Sequence, residues 1–313
     1  MPNPTITLRR MALMAAVETV SGTFVMPVAA DAIEVADVTI TPTDGQTDEY
    51  NIVRPYMGSA EEILTTRFRK MAFKVGMAGV GTAGALPGYS KLLRGCGLSA
   101  TALAGPPAKT VFAPASTSFE SVSLYAVIDR NVYKMPGAAG NVRLQGSAGK
   151  LPWMAFEFTG AWRAVEVVGS IPVTAPVFQV PLGVNAANTR VRLGGAAEFW
   201  ECNAFDIDLG NVVSKQDLTE IDNTEITDRR ASGSITIRST LQTTKDWDAL
   251  IGTKQVLEIT HGQAATNKVK IAAPLAQIGK PSFGEQDGFQ MITLPLRLLP
   301  SGSSGNNEIS IEV

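Results

Sequence analysis

Apolar residues in this chain recur at every second position in short runs, and turn residues cut those runs in the same order twice. Alternation of period two puts successive side chains on opposite faces of an extended segment, so each run reads as a half-buried strand. Runs rich in Val, Ile, Thr and Phe at 36–41, 68–76, 121–128, 131–135, 140–146 and 151–158 are followed by others at 203–209, 233–239, 255–260, 267–272, 276–282 and 288–298. Asp129-Arg130 suits a tight hairpin, and Pro136-Gly137 and Ser147-Ala148-Gly149 supply further reversals. Glycine and proline, 29 and 18 of 313 residues, are too frequent for a helical bundle or coiled coil. The expectation is an all-β fold, β-dominated with short helices.

Two helical segments fit the pattern. In 88–94, Tyr89, Leu92 and Leu93 share a face; in 244–251, Trp247, Leu250 and Ile251 do. They occupy matching places, each after a strand, a polar stretch and a second strand, and each before a hairpin and a closing strand. An internal duplication accounts for that order. The join falls in 164–187, a stretch almost without charge that holds Pro172, Pro176 and Pro181, which divides the chain into domains 1–174 and 175–313. Two polar stretches, 42–65 and 210–232, are longer than a hairpin connection needs and read as arms that reach a neighbour.

Residues that could carry chemistry are few. One histidine, His261, and two cysteines, Cys96 and Cys202, cannot build a Cys/His zinc site or a histidine relay. Gly79-Val80-Gly81-Thr82-Ala83-Gly84 has the dinucleotide spacing, but Leu86-Pro87-Gly88 interrupts the helix it needs and no acid follows before Glu120. Neither Gly149-Lys150 nor Gly279-Lys280 is followed by Ser or Thr, so there is no phosphate-cradling loop. Asp206 with Asp208 read as a solvated strand face, and Asp246 with Asp248 as the acidic first turn of a helix. The four tryptophans are dispersed, which argues against a stacking ladder for single-stranded nucleic acid. No cofactor or metal is called for, and the reading is not that of an enzyme.

Arg9-Arg10 before Met11-Ala12-Leu13-Met14-Ala15-Ala16-Val17 imitates an export signal, but Glu18, Thr19 and Ser21 to Thr23 break its apolar core. The expectation is synthesis and assembly in a cytoplasm, with no membrane partner and no spanning helix. A net charge of -2 leaves no basic excess to hold nucleic acid by its phosphates.

Taken in order, several segments resemble the major tail tube proteins of long, flexible-tailed bacteriophages. They are Val17-Glu18-Thr19, Ser21-Gly22-Thr23, Ala29-Ala30-Asp31-Ala32-Ile33, Arg54-Pro55-Tyr56 and Leu92-Leu93-Arg94-Gly95-Cys96-Gly97. The second half adds Asp206 to Asn211, Ile226-Thr227-Asp228-Arg229, Gly233 to Ile237 and Thr260-His261-Gly262. The likeness covers nearly the whole chain and includes no catalytic signature. It implies two tandem tube-like β-sandwich or barrel domains, sheets that join round a ring, and rings stacked into a hollow conduit for DNA.

Single-domain members make six-membered rings, so a tandem form implies homotrimers with pseudo-sixfold symmetry, assembled in the host bacterial cytoplasm and carried in the virion tail. The implied partners are further copies, a tape measure protein and tail terminator and distal tail proteins, with genomic DNA passing only transiently. Contact with the adjacent ring falls to the amino-terminal arm, with Arg9 and Arg10, and to the long polar stretches, with Asp48, Glu49, Arg54, Tyr56, Glu61, Glu62, Arg229 and Arg230. Residues 1–174 hold 15 basic and 13 acidic side chains against 12 and 16 in 175–313, an asymmetry that suits head-to-tail contact. The competing readings are an exported porin-like barrel, which needs longer strands and aromatic girdles, a carbohydrate-binding sandwich, which needs clustered exposed aromatics, and an unrecognised hydrolase, which would lose activity on mutation of Asp206 or Glu157.

Overall fold

The computed structural model describes residues 5–82, 84–105, 107–169, 178–303 and 305–313. It is all-β, with one α-helix, Ser90–Gly95, among the described residues. In the first half, Ala36–Asp44, Phe68–Gly76, Trp153–Ala161, Asn131–Ser147, Val122–Ile128 and Met11–Val17 lie side by side, each antiparallel to the next. The second half sets Cys202–Asp208, Ser232–Arg238, Phe289–Leu299, Val269–Ile278, Lys254–His261 and Thr189–Leu193 in the same succession. The order of pairing is therefore identical in the two halves.

Detail inside the strands repeats too. Asn131–Ser147 changes register between Met135 and Ala138, across Pro136, and Val269–Ile278 changes register between Ala273 and Ala276, across Pro274. A proline cannot donate to a ladder and is tolerated at a bulge. Pro136-Gly137 is thus a bulge within one 17-residue strand and not the expected reversal. The bulge bends the strand, so its first part pairs with Val122–Ile128 and its later part with Trp153–Ala161 and Cys202–Asp208. For the same reason 267–272 and 276–282 are not independent strands: the first merges into Val269–Ile278, and a separate strand, Ser282–Gln286, follows.

The Asn131–Ser147 to Cys202–Asp208 ladder fuses the halves into one sheet run, with Leu144 opposite Ile207. A second tie comes from Ser310–Glu312, which pairs with Lys109–Pro114 of the first half. The interior is correspondingly shared, since one apolar cluster contains Phe73, Phe156 and Leu144 together with Ile207, Ile235 and Ile292. Met71, Phe73 and Val75 alternate inward from their strand, and the rings of Phe73, Phe156 and Phe158 stack at centroid distances of 5.8 to 6.1 Å.

One further expectation needs correction, and three features go beyond the sequence reading. Residues 244–251 form turns rather than a helix: the Leu250 and Ile251 N–H groups donate three residues back, to the Trp247 and Asp248 carbonyls, and Trp247 packs edge-to-face on Trp200. The stretches 42–65 and 210–232 contain hairpins, Thr47–Tyr50 with Glu61–Leu64 and Asn211–Leu218 with Ile221–Arg229. The signal-like Met11–Val17 is a core strand. Strands Leu98–Leu103, Lys109–Pro114, Thr189–Leu193 and Ser310–Glu312 are not among the expected runs, although Val191 and Leu193 alternate with Arg190 and Arg192. Pro172 and Pro176 of the join lie outside the described residues.

Candidate assembly surfaces

Each half inserts its hairpin at the same point, between its second and third strands. The second hairpin, hereafter the second arm, lies against Asn131–Ser147 and Trp153–Ala161 of the first half. Its root is tied down by Asn211, whose Nδ2 donates to the carbonyls of Cys96 and Gly140 at 2.7 and 2.9 Å while its backbone N–H donates to Asn141 Oδ1. Thr224 and Ile226 are buried on that face. Arg229 is spent inside the chain, donating to Glu308 Oε1 at 2.6 Å and to the Ala115 carbonyl at 2.7 Å. Arg230 stays exposed beside Asp228.

The first arm, Thr47–Tyr50 with Glu61–Leu64, has no such cover, and all eight of its residues are exposed. Its tip presents Ile52, Val53, Tyr56 and Met57, of which Val53 and Met57 are fully exposed, with Arg54 half-buried beside them. An uncovered group of large apolar side chains marks a surface made for another protein. Asp48, Glu49, Glu61 and Glu62 all stand on this arm, and Glu49 sits directly opposite Glu62. Like charges across a ladder repel, so the arm in isolation carries an unrelieved negative field. The structure thus brings six of the ten residues expected at contacts onto one arm. Arg9 and Arg10 lie apart on the amino-terminal segment, both exposed, with Arg10 paired to Asp129 at 2.8 Å.

Two strand edges are also unpaired among the described residues. Ala36–Asp44 pairs only with Phe68–Gly76, and Ser282–Gln286 pairs only with Phe289–Leu299. These stand at opposite ends of one run of strands, and each offers a row of backbone donors and acceptors. Phe68–Gly76 offers no such edge, because strands of the same chain occupy both of its sides. Sequence reading also missed Phe283, which is 61% exposed in the middle of the free strand. An apolar residue between turn signals was its only trace.

The groups that the sequence singles out for chemistry are engaged locally or buried. Asp206 holds Arg143 through two bonds of 2.6 Å, and Asp208 accepts from Asn141 and from the Gly210 N–H. In the glycine-rich segment, the Gly79 and Gly81 N–H groups donate to Asn267 Oδ1 and the Thr266 carbonyl, which leaves them no phosphate to cradle. Burial raises the Cys96 thiol well above its ordinary range and pushes Cys202 up to about 12, so neither is a ready nucleophile. His261 ends the Lys254–His261 strand and is buried; burial lowers its pKa, and its Nδ1 meets Thr189 Oγ1 at 2.9 Å. Among the described residues no cluster of His, Cys, Asp and Glu could hold a metal ion, and no described helix is long and apolar enough to cross a membrane.

The described chain is all-β, the polar clusters singled out in its sequence are engaged in its own ion pairs and turns, and it leaves strand edges and an apolar arm open, features that suit assembly with other chains. Comparison with known families says what kind of assembly: the model of the family described as Phage tail tube protein matches residues 8–297, and the chain belongs to that family. It is a structural component of the bacteriophage tail, and membership implies assembly with copies of itself and with other tail proteins. No curated protein matches the chain.

Proposed function

We propose that the chain comprises two tube domains, 1–174 and 175–313, and that three copies close head to tail into a pseudo-sixfold ring. Rings stack into the hollow tail tube through which DNA leaves the virion. The observation that carries this reading is the identical strand order of the two halves, with Asn131–Ser147 of the first joined antiparallel to Cys202–Asp208 of the second. A unit that already makes one head-to-tail step within a chain needs only the same step between chains to close a ring.

In this reading the amino-terminal segment with Arg9 and Arg10, and the first-arm tip with Arg54 and Tyr56, face the adjacent ring. The tube forms in the host cytoplasm around a tape measure protein and ends on terminator and distal tail proteins. A lumen that passes DNA must not bind phosphates, and the excess of 16 acidic over 12 basic side chains in 175–313 is compatible with that. The role is scaffolding rather than catalysis. Negative-stain electron microscopy of the purified chain, with its solution mass, is the test. Threefold rings or hollow tubes are expected; a chain that stays monomeric at every concentration, alone or with tail-tip complexes, refutes the proposal.

A further inference from the structure

The repeated strand order allows residues of one half to be matched to the other by counting along the ladders. Pro136 and Pro274 mark the same bulge. Four residues on, Gly140 faces Phe158 as Ile278 faces Leu296. Across the next ladder Phe158 faces Met71 as Leu296 faces Gly233, and across the one after, Met71 faces Ile40 as Gly233 faces Ile207. Ile40 is therefore the counterpart of Ile207. Four positions before Phe158 and Leu296 stand Met154 and Ile292, which face Leu144 and Phe283. Phe283 is the counterpart of Leu144.

Inside the chain Leu144 and Ile207 face one another across the ladder that joins the halves, and both are buried. Their counterparts, Phe283 and Ile40, are on the two unpaired edges at opposite ends of the sheet run, Phe283 exposed and Ile40 half-buried. We propose that the joint between copies repeats the joint within the chain: Ser282–Gln286 of one copy pairs antiparallel with Ala36–Asp44 of the next, with Phe283 opposite Ile40. The flanking pairs are then Ser282 with Thr41 and Gly284 with Thr39. This rests on the ring reading and specifies its interface.

The arms obey the same correspondence. Counting back seven residues from Met71 and Gly233 gives Leu64 and Ile226. Ile226 is buried where the second arm lies on the first half, whereas Leu64 is exposed because its counterpart surface belongs to the next copy. That surface is open: a cavity on the second half is lined by Ile251, Gly252, Ile278, Gly279 and Leu296. Ile278 and Leu296 match Gly140 and Phe158, so the cavity lies where the second-arm root sits in the first half. Lys280 and Arg297 stand at this cavity and make no ion pair among the described residues, which suits an arm carrying Asp48, Glu49, Glu61 and Glu62. The first arm thus lies along the second half of the neighbour in its own ring, with only its tip left to reach the ring beyond.

Directly opposed residues in an antiparallel pair bring their Cβ atoms within disulfide reach, whereas a one-residue shift turns one of them to the other face. The test uses a full-length Cys202→Ala background, in which Cys96 is fully buried. Ile40→Cys with Phe283→Cys should oxidise into covalent dimers and closed trimers on a non-reducing gel, and Thr39→Cys with Phe283→Cys should not. Leu64→Asp should raise the concentration needed for assembly at least about tenfold while Leu64→Ile leaves it unchanged, with both monomers folded by circular dichroism. Rings visible by electron microscopy without the 40–283 link, equal linking at 39–283, or a link within one chain overturn the interface and leave the ring reading standing. A parent chain that never assembles overturns both.

Discussion

Glu18 gives the sharpest test of how the first half is held together. Its buried carboxylate ends the Met11–Val17 strand and accepts four hydrogen bonds: from the Gly22 and Gly137 N–H groups at 2.8 Å each, from Ser121 Oγ at 2.7 Å and from Ser123 Oγ at 2.6 Å. One oxygen serves Gly137 and Ser123, the other Gly22 and Ser121. In Glu18→Gln one of these sites becomes an NH2 group. A serine hydroxyl can turn and accept from it, but a backbone N–H cannot, so either amide orientation leaves one buried donor unpaired. That orphan costs about 1–3 kcal/mol, and the surviving bonds lose their charge assistance, for a total of about 2–4 kcal/mol. Urea unfolding of the monomer, followed by tryptophan fluorescence, should show a lower midpoint at unchanged slope. A Gln variant within about 0.5 kcal/mol of the parent would refute the argument that the strand, the turn at Gly22 and the bulge at Gly137 are tied through one carboxylate.

Three further outcomes follow from the same reasoning. Arg69 is fully buried, with no carboxylate partner among the described residues, and donates to the carbonyls of Pro42, Lys134 and Arg163 at 3.0, 2.6 and 2.9 Å. Arg69→Lys cannot span three divergent acceptors and should cost about 2–4 kcal/mol in the same urea assay. Burial lowers the His261 pKa below 6.5, so the unfolded chain binds the proton more readily than the folded one. The His261 contribution to stability is then full above about 6.5 and is lost as pH falls from there toward the depressed folded value. Urea midpoints compared at pH 7.5 and 5.5 should show that loss in the parent and a smaller one in His261→Asn. Arg143→Ala removes a half-exposed ion pair with Asp206 on the joint between halves. It should shift stability by less than about 1 kcal/mol, because the ladder and Leu144 opposite Ile207 hold that joint.

The all-β class, most strand positions and the twofold order were legible in the sequence, because alternation and turn chemistry are local properties that tertiary context rarely reverses. Phe68–Gly76 is readable residue by residue, since Met71, Phe73 and Val75 alternate with Lys70, Ala72 and Lys74 toward one buried face. The first arm was legible only as a long polar stretch with charge at its base and Tyr56 near its tip.

Other features depended on partners distant in the chain. Met11–Val17 imitates an export signal because a strand buried on both faces is as continuously apolar as a signal core; its partner, Val122–Ile128, lies more than a hundred residues away. Pro136 looks like a chain reversal, and Pro274 like a break between two strands, until the opposite strands show both to be bulges. Residues 244–251 have helical spacing, but their backbone bonds close three-residue turns and Trp247 is held against Trp200. Sequence alone determined what each segment can be, because side-chain period and turn preference act over a few residues. Only the tertiary structure decided which edges are occupied and which are free, because an edge is defined by the strand beside it, and that strand comes from elsewhere in the chain or, at Phe283 and Ile40, from the proposed next copy.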